Sequence, residues 1–483
     1  MTKYLLALSV LLAGAPLEKP NILWIVVDDM SANFGCYGEK TIETPNLDRL
    51  AREGTRFSKA FTTAPVCSPS RSALITGRYQ TSIGAHHHRS GRGADKITLP
   101  EGVDTVPALF RRAGYFTSIG SWPMSKQPGK TDYNFEWESK AVYDGTDWAD
   151  RKKGQPFFAQ VQLHGGKYRG NGTTQSPVVK KALGTLTAPE AVKLPPYYPD
   201  DPVIRQDWAN YLDDVRYTDL QVGQILKRLE EDGVAADTLV FFITDHGISH
   251  ARGKQFLYDE GAHIPLVVRG PGAAVGAVRT DLVEHIDLAA TSLAAAGIEI
   301  PKGMHSRDVL AKDYRPREAV FAARDRCDET VEHLRMARTS TWKYIRNFLP
   351  KRPHLQPNAY KDSKAIVKRL RELHGSGKLT GLPEQLLFAP ERAPEELYDL
   401  EADPFEVRNL AADPSHEAAL KEMRGRLDRW MEETGDQGRV PETEKRYDSD
   451  MAVYLKELTK SPEGLQILEA NIALMKKWAA EGK

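Results

Sequence analysis

Two acidic stretches and one cysteine carry most of the chemistry visible in this chain. Asp28-Asp29 closes the apolar run Asn21-Ile22-Leu23-Trp24-Ile25-Val26-Val27, and Asp245-His246 closes a second, Thr238-Leu239-Val240-Phe241-Phe242-Ile243-Thr244. Unbroken apolar runs of this length read as strands buried on both faces of a sheet. In an open α/β sheet, the residues just past the carboxyl ends of such strands meet at one rim, where ligands bind. Three carboxylates and an imidazole are thereby expected in one place. Cys67 opens the stretch Cys67-Ser68-Pro69-Ser70-Arg71, with Leu74, Thr76, Gly77 and Arg78 beyond it. Proline is favoured in a first helical turn, so Cys67 is expected at the positive end of a helix, where an anion is attracted. Arg71, one turn further, adds a guanidinium beside the same spot. Cys36 and Cys327 have no such neighbourhood and read as structural. Three thiols so far apart make neither a disulfide scaffold nor a cysteine-rich zinc site.

The elements that must position these groups alternate between strand and helix. Thr44-Pro45 opens a helix carrying Leu47, Leu50 and Ala51, and Phe157 to Leu163 reads as another buried strand. A long helix from about Ile204 to Glu231 carries Leu212, Val215, Leu220, Val222, Ile225, Leu226 and Leu229 on its apolar side. This alternation predicts an α/β sandwich with a mostly parallel central sheet. From about Arg315 the texture changes to short β-prone runs, Trp342 to Ile345 and Glu396 to Leu400, followed by an amphipathic helix near Glu417 to Thr434. The expected organisation is a large α/β unit over 19–314, a smaller α+β unit over 315–437 and a peripheral helical extension over 438–483. Ahead of these, Lys3 precedes a short apolar run ending in Ala13-Gly14-Ala15, the layout of a secretory signal over 1–15, which implies a periplasmic or extracellular address. That run is shorter than the ~20 apolar residues needed to cross a bilayer, so no membrane span is expected. At 483 residues, 41% hydrophobic and 27% charged, the composition excludes disordered, collagenous and multi-span membrane classes. The 66 Lys and Arg are matched by 66 Asp and Glu, which removes the basic excess of a nucleic-acid-wrapping protein.

The stretch around Cys67 resembles the signature of the type I sulfatases of the alkaline phosphatase superfamily, C-x-P-x-R with a downstream T-G. It fits each position through Cys67, Pro69, Arg71, Thr76 and Gly77, and the likeness runs from about Pro20 to Gly438. The resemblance implies an alkaline phosphatase-like fold and a hydrolase of sulfuric esters or sulfamates. It implies that Cys67 is oxidised to formylglycine by a partner, a formylglycine-generating or anaerobic sulfatase-maturating enzyme. It further implies one calcium ion, with magnesium left open, held by Asp28, Asp29, Asp245, His246 and an oxygen of the converted residue 67. By local motif, Lys254 would reach the sulfate and leaving-group oxygen, and His164 would contact sulfate or protonate the leaving group. The family motif G-K-x-H reads Gly129-Lys130-Thr131-Asp132 here. Lys130 keeps its place, whereas Asp132 stands where a histidine usually helps to collapse the sulfated intermediate, so Asp132 or another residue takes the base role.

The layout looks most like the heparan N-sulfatases, or N-sulfoglucosamine sulfohydrolases, and their bacterial relatives. The expected substrate is then a sulfated saccharide, a glycosaminoglycan with heparan-type N-sulfoglucosamine favoured. His246 leans instead toward the iduronate 2-sulfatases, because many relatives carry Asn there. His86, His87 and His88 are candidates to hydrogen-bond sugar hydroxyls and flanking sulfates, although adjacent side chains diverge and at most two reach one pocket. Arg324 and Arg326, with Asp328 and Glu329 beside them, are candidates from the second unit. Two other readings stay open: a phosphonate or phosphodiester hydrolase of the same superfamily, and a catalytically silent protein that binds sulfated sugars.

Overall fold

The computed structural model describes residues 19–458 and 461–483; the expected leader over 1–15 lies outside them. Seven strands form the central sheet: β1 (Asn21–Val27), β2 (Thr55–Phe61), β3 (Phe116–Gly120), β4 (Phe157–Leu163), β5 (Thr238–Thr244), β6 (His263–Arg269) and β7 (Ala277–Glu284). Their order is β3-β4-β1-β5-β6-β2-β7. Strands β3, β4, β1 and β5 pair in parallel, as do β2 and β7, and β6 alone runs against its neighbours. The sheet is the mostly parallel one the sequence predicts.

Every residue of β1, β4 and β5 is buried, because helices cover both faces. Four of them matter here: α1 (Pro45–Arg52), α2 (Cys67–Thr76), α3 (Pro202–Glu231) and α4 (Asp287–Ala295). Alternate residues of β1 face opposite ways, so Leu23, Ile25 and Val27 pack with Leu47 and Leu50 of α1 and with Leu212, Val215 and Leu226 of α3. On the other face Ile22, Trp24 and Val26 pack with Leu74 and Ile75 of α2 and Leu288 and Leu293 of α4. Leu220, expected on the apolar side of α3, is instead 39% exposed. It precedes Val222 by two residues, about 200° of helical turn, which puts it on the opposite side.

A second, antiparallel sheet holds β8 (Val320–Arg324), β9 (Leu334–Arg338), β10 (Trp342–Asn347) and β11 (Glu395–Asp399), in the order β11-β10-β9-β8. Helix α5 (Glu417–Glu433) covers it through Leu420, Met423, Leu427 and Trp430. The core under α3 continues into Ala322, Met336, Ile345 and Tyr398, so apolar packing runs unbroken between the two sheets. The tail forms α6 (Glu444–Glu457) and α7 (Pro462–Ala480). It is helical as expected but not peripheral. Arg326, fully buried, bonds Glu442 at 2.7 Å and Asp450 at 2.5 Å, and Tyr454 donates to Asp328 at 3.0 Å. Arg446 pairs with Asp95 at 2.6 Å, so the tail ties the second sheet to the loop after α2. Among the described residues no helix is long and apolar enough to cross a membrane, and the three cysteines are free thiols.

Candidate active site

Val27 stands level with Leu163 on one side and Thr244 on the other, so the residues that follow, Asp28, His164 and Asp245, leave the sheet together. The turns there are laced to one another. Asp28 N–H donates to Leu163 O (3.1 Å), Asp245 N–H to Val27 O (2.9 Å) and Met30 N–H to His246 O (3.1 Å). Asp29 takes a left-handed φ of 54°, which costs a non-glycine residue energy, and its N–H is held by Asp245 Oδ1 at 3.2 Å. After β4 the chain passes so close that a Cβ at Gly165 would lie 2.1 Å from Asp28 O, and one at Gly166 2.3 Å from Asp29 O. Both positions need glycine.

Strand β2 points the same way as β1, so its carboxyl end delivers the chain to this rim, and α2 begins there with Cys67, 3% exposed. Its Sγ lies 3.2 Å from His246 Nε2, 3.2 Å from Lys254 Nζ, 3.9 Å from Lys167 Nζ and 4.0 Å from Asp29 Oδ1. Burial alone would push the thiol up, but Lys130, Lys167, Lys254 and His246 together outweigh it and hold it well below its ordinary value. Arg71 donates from Nε to Asp245 Oδ2 (3.0 Å), from Nη1 to Gln162 Oε1 (2.6 Å) and from Nη2 to Asp28. One guanidinium thus aims carboxylates from two strand ends.

The donor set fits a hard divalent cation. Ligand atoms of Asp29, Cys67 and His246, and of Asp28, Cys67 and Asp245, form two groups whose members all lie within 4.8 Å of one another. His246 Nδ1 is 2.9 Å from the Gly247 carbonyl, so Nδ1 carries a proton and Nε2 is the ring atom left to serve as a metal ligand. Nε2 lies 3.1 Å from Asp29 Oδ1 and 3.4 Å from Asp245 Oδ1. Acceptors crowded in this way call for a positive charge between them. Burial, joined by Asp28, raises the Asp245 carboxyl despite His246 and Arg71, and a bound cation would reverse this. Three carboxylates and one imidazole suit calcium or magnesium better than a thiophilic metal.

A family profile described as "Sulfatase" matches residues 20–298. The chain belongs to the sulfatase family. It is accordingly a hydrolase of sulfate esters or sulfamates. A second profile, "N-sulphoglucosamine sulphohydrolase, C-terminal", matches residues 246–351. An ulvan-active sulfatase of Formosa agariphila is 32% identical over 473 residues, spanning 88% of this chain and 77% of that protein. Human N-sulphoglucosamine sulphohydrolase is 30% identical over 467 residues, spanning 86% and 90%. A solved 2-O GAG sulfatase shares the fold, with a TM-score of 0.64 and 22% identity over 89% of this chain and 96% of that one.

The remaining expected residues of this sulfatase differ in their exposure and their partners. Lys254 is buried beside Sγ, and Lys130 Nζ sits 3.2 Å from both oxygens of Asp28. Asp132 takes φ 56° and bonds Arg92, with Lys130 at 3.5 Å; burial would raise it, yet Lys130, His88 and Arg92 hold it far below the carboxylate range. A carboxylate so stabilised is a weak base. His164 stands exposed on the rim, its ring 5.3 Å from Tyr168, and burial lowers its imidazole. Of the three histidines, His88 reaches α2, with Nδ1 2.7 Å from Ser68 Oγ, while His86 and His87 pack on each other at 4.3 Å. Arg326 is buried and paired with Glu442 and Asp450, in the wall of a cavity that His87 and Tyr447 also line. Arg324 is only 3% exposed and lies over the Phe256 ring at 4.8 Å, enclosed rather than presented.

Sequence reasoning missed three groups. Lys167 reaches Asp29 at 3.2 Å, Tyr360 donates to Asp29 Oδ2 at 3.2 Å, and Gln162 receives Arg71. Only Lys167 left a signal, the Gly165-Gly166 pair directly after an apolar strand, which marks close backbone contact.

Proposed function

We propose that this sulfatase removes sulfate from a sulfated polysaccharide or glycosaminoglycan, using a formylglycine made from Cys67 and one calcium or magnesium ion. The observation that carries the reading is the rim itself: residue 67 at the positive end of α2, within 4.0 Å of two lysines, the His246 imidazole and the Asp29 carboxylate. A sulfate ester resists attack because its oxygens repel a nucleophile, so their charge must be neutralised. Asp28, Asp29, Asp245 and His246 would hold the cation, and the cation would supply that neutralisation. Conversion of residue 67 supplies a hydrated aldehyde whose hydroxyl is the nucleophile toward sulfur. Lys254 holds a proton beside this position and is better placed than the exposed His164 to give it to the leaving atom. Arg71 keeps the Asp28 and Asp245 carboxylates in place while Gln162 holds its guanidinium.

Heparan-type N-sulfoglucosamine is the favoured substrate, supported by the profile over 246–351 and by the human relative. A polysaccharide O-sulfatase is the second reading, supported by the ulvan-active relative. We place the protein outside the cytoplasm on the strength of the 1–15 leader pattern.

Two measurements test this. Intact mass of the peptide around Cys67 should show a loss of ~18 Da on conversion of thiol to aldehyde; an unmodified thiol in protein from its own host refutes the nucleophile. Sulfate release should then be compared across heparin disaccharides differing only in N-, 2-O- and 6-O-sulfation, and ulvan oligosaccharides. Cys67→Ala should lower release by about 10⁴-fold or more.

A further inference from the structure

Four cations surround residue 67, and two of them are already committed. Arg71 spends its donors on Asp245, Gln162 and Asp28. Lys254, with a side chain 3% exposed, donates to Asp29 at 3.0 Å and lies 3.5 Å from Tyr360 Oη. The other two stand differently. Lys130 on Asp28 and Lys167 on Asp29 keep 32% and 31% of their side chains in solvent. One open ammonium therefore flanks each of the paired carboxylates, and Lys167 comes within 3.9 Å of both Asp28 Oδ2 and Cys67 Sγ.

Lys167 is not a loose surface lysine. Its turn begins at Gly165 and Gly166, which have no room for a Cβ against the Asp28 and Asp29 carbonyls. Gly166 N–H donates to Asp28 O at 3.0 Å and Lys167 N–H to His164 O at 3.1 Å. The backbone of Lys167 is thus locked to the chain that carries the two carboxylates, and only its side chain is free to turn toward an incoming group. Asp29 cannot serve a cation and Lys167 at full strength together. An ammonium sharing its carboxylate in this way has charge to offer the next anion at the rim.

We propose that Lys167 binds a non-bridging oxygen of the substrate's sulfate group, across the carboxylate pair from Lys130. This rests on the sulfatase reading of the same rim. The direct test avoids turnover: the Cys67→Ala chain, loaded with calcium, is titrated with inorganic sulfate by calorimetry. Lys167→Met should weaken sulfate binding about 10-fold or more, and Lys167→Arg should stay within about 3-fold. Equal affinities, or no sulfate binding in the Cys67→Ala parent, overturn the proposal. Should Lys167→Met fail to fold, Lys167→Gln in the same titration gives the answer. In the converted enzyme Lys167→Met should cut kcat/KM by about 100-fold, equally for good and poor leaving groups. A loss that grows with leaving-group basicity makes Lys167 a proton donor and overturns the assignment. If the converted enzyme releases no sulfate yet Lys167 governs sulfate binding, the proposed function fails and this inference stands.

Discussion

His246 is where the chemistry of the rim is most open to test. Its Nδ1 proton is spent on the Gly247 carbonyl, which leaves Nε2 as a ligand atom beside Asp29 and Asp245. His246→Ala should lower calcium or magnesium affinity at least about 100-fold, whereas His246→Asn, which puts a hard carbonyl oxygen at the same place, should stay within about 10-fold. Metal content after dialysis against a range of free metal reads both. At this scale the sequence was informative about groups whose role follows from strand ends and helix starts: Asp28, Asp29, Cys67, Arg71 and Asp245. It was silent where the partner is remote in the chain. Tyr360 reaches Asp29 from 331 residues away, and nothing local to Tyr360 marks it. Arg326 read as a candidate contact for a sulfated sugar because its charge was visible and its partners, Glu442 and Asp450, were not.

Strand register converts these residues into a site. The level alignment of Val27, Leu163 and Thr244 puts three turns at one height, and the glycines after β4 let its turn pass beneath Asp28 and Asp29. Gly165→Ala should therefore do more than strain a φ of 53°: its methyl group would push the Asp28 carbonyl. A loss of at least about 2 kcal/mol is expected, seen as a lowered denaturation midpoint, with metal affinity falling alongside. Apolar runs made the strands legible, since each must be buried on both faces. The reversal of β6 was not legible, because a buried strand reads the same in either direction.

Buried charge joins parts of the molecule that lie far apart in the chain. Asp450 receives Arg326 at 2.5 Å and the Gly91 N–H at 3.0 Å, joining the tail, the end of β8 and the loop after α2. Asp450→Asn should cost about 3 kcal/mol or more in unfolding free energy, because it leaves a buried guanidinium short of its partner. Buried acids also set a pH dependence. Burial pushes Glu260, Asp325 and Glu329 each up to about 7. A carboxyl raised on folding contributes stability fully below its unfolded value, and this is lost as pH rises through 7. The protein should thus lose stability between about pH 5 and pH 8 from these three groups, and Glu260→Gln should remove up to about 3 kcal/mol of that loss. Denaturant titrations of both forms at the two pH values decide it; an unchanged difference rejects the assignment to Glu260.

The burial of Cys67 also imposes an order in time. Its side chain, 3% exposed, lies under groups delivered late in the chain: Tyr360 touches its neighbours Asp29 and Lys254, and Tyr454 holds Asp328 beside His88. If Cys67 is converted as proposed, a partner that oxidises this thiol would have to arrive while those segments are still undocked. On that proposal, chains that close first with the thiol intact would be finished molecules of the wrong kind, and the yield of active protein would be settled by a race between a modifying enzyme and the folding of the far end of the same chain.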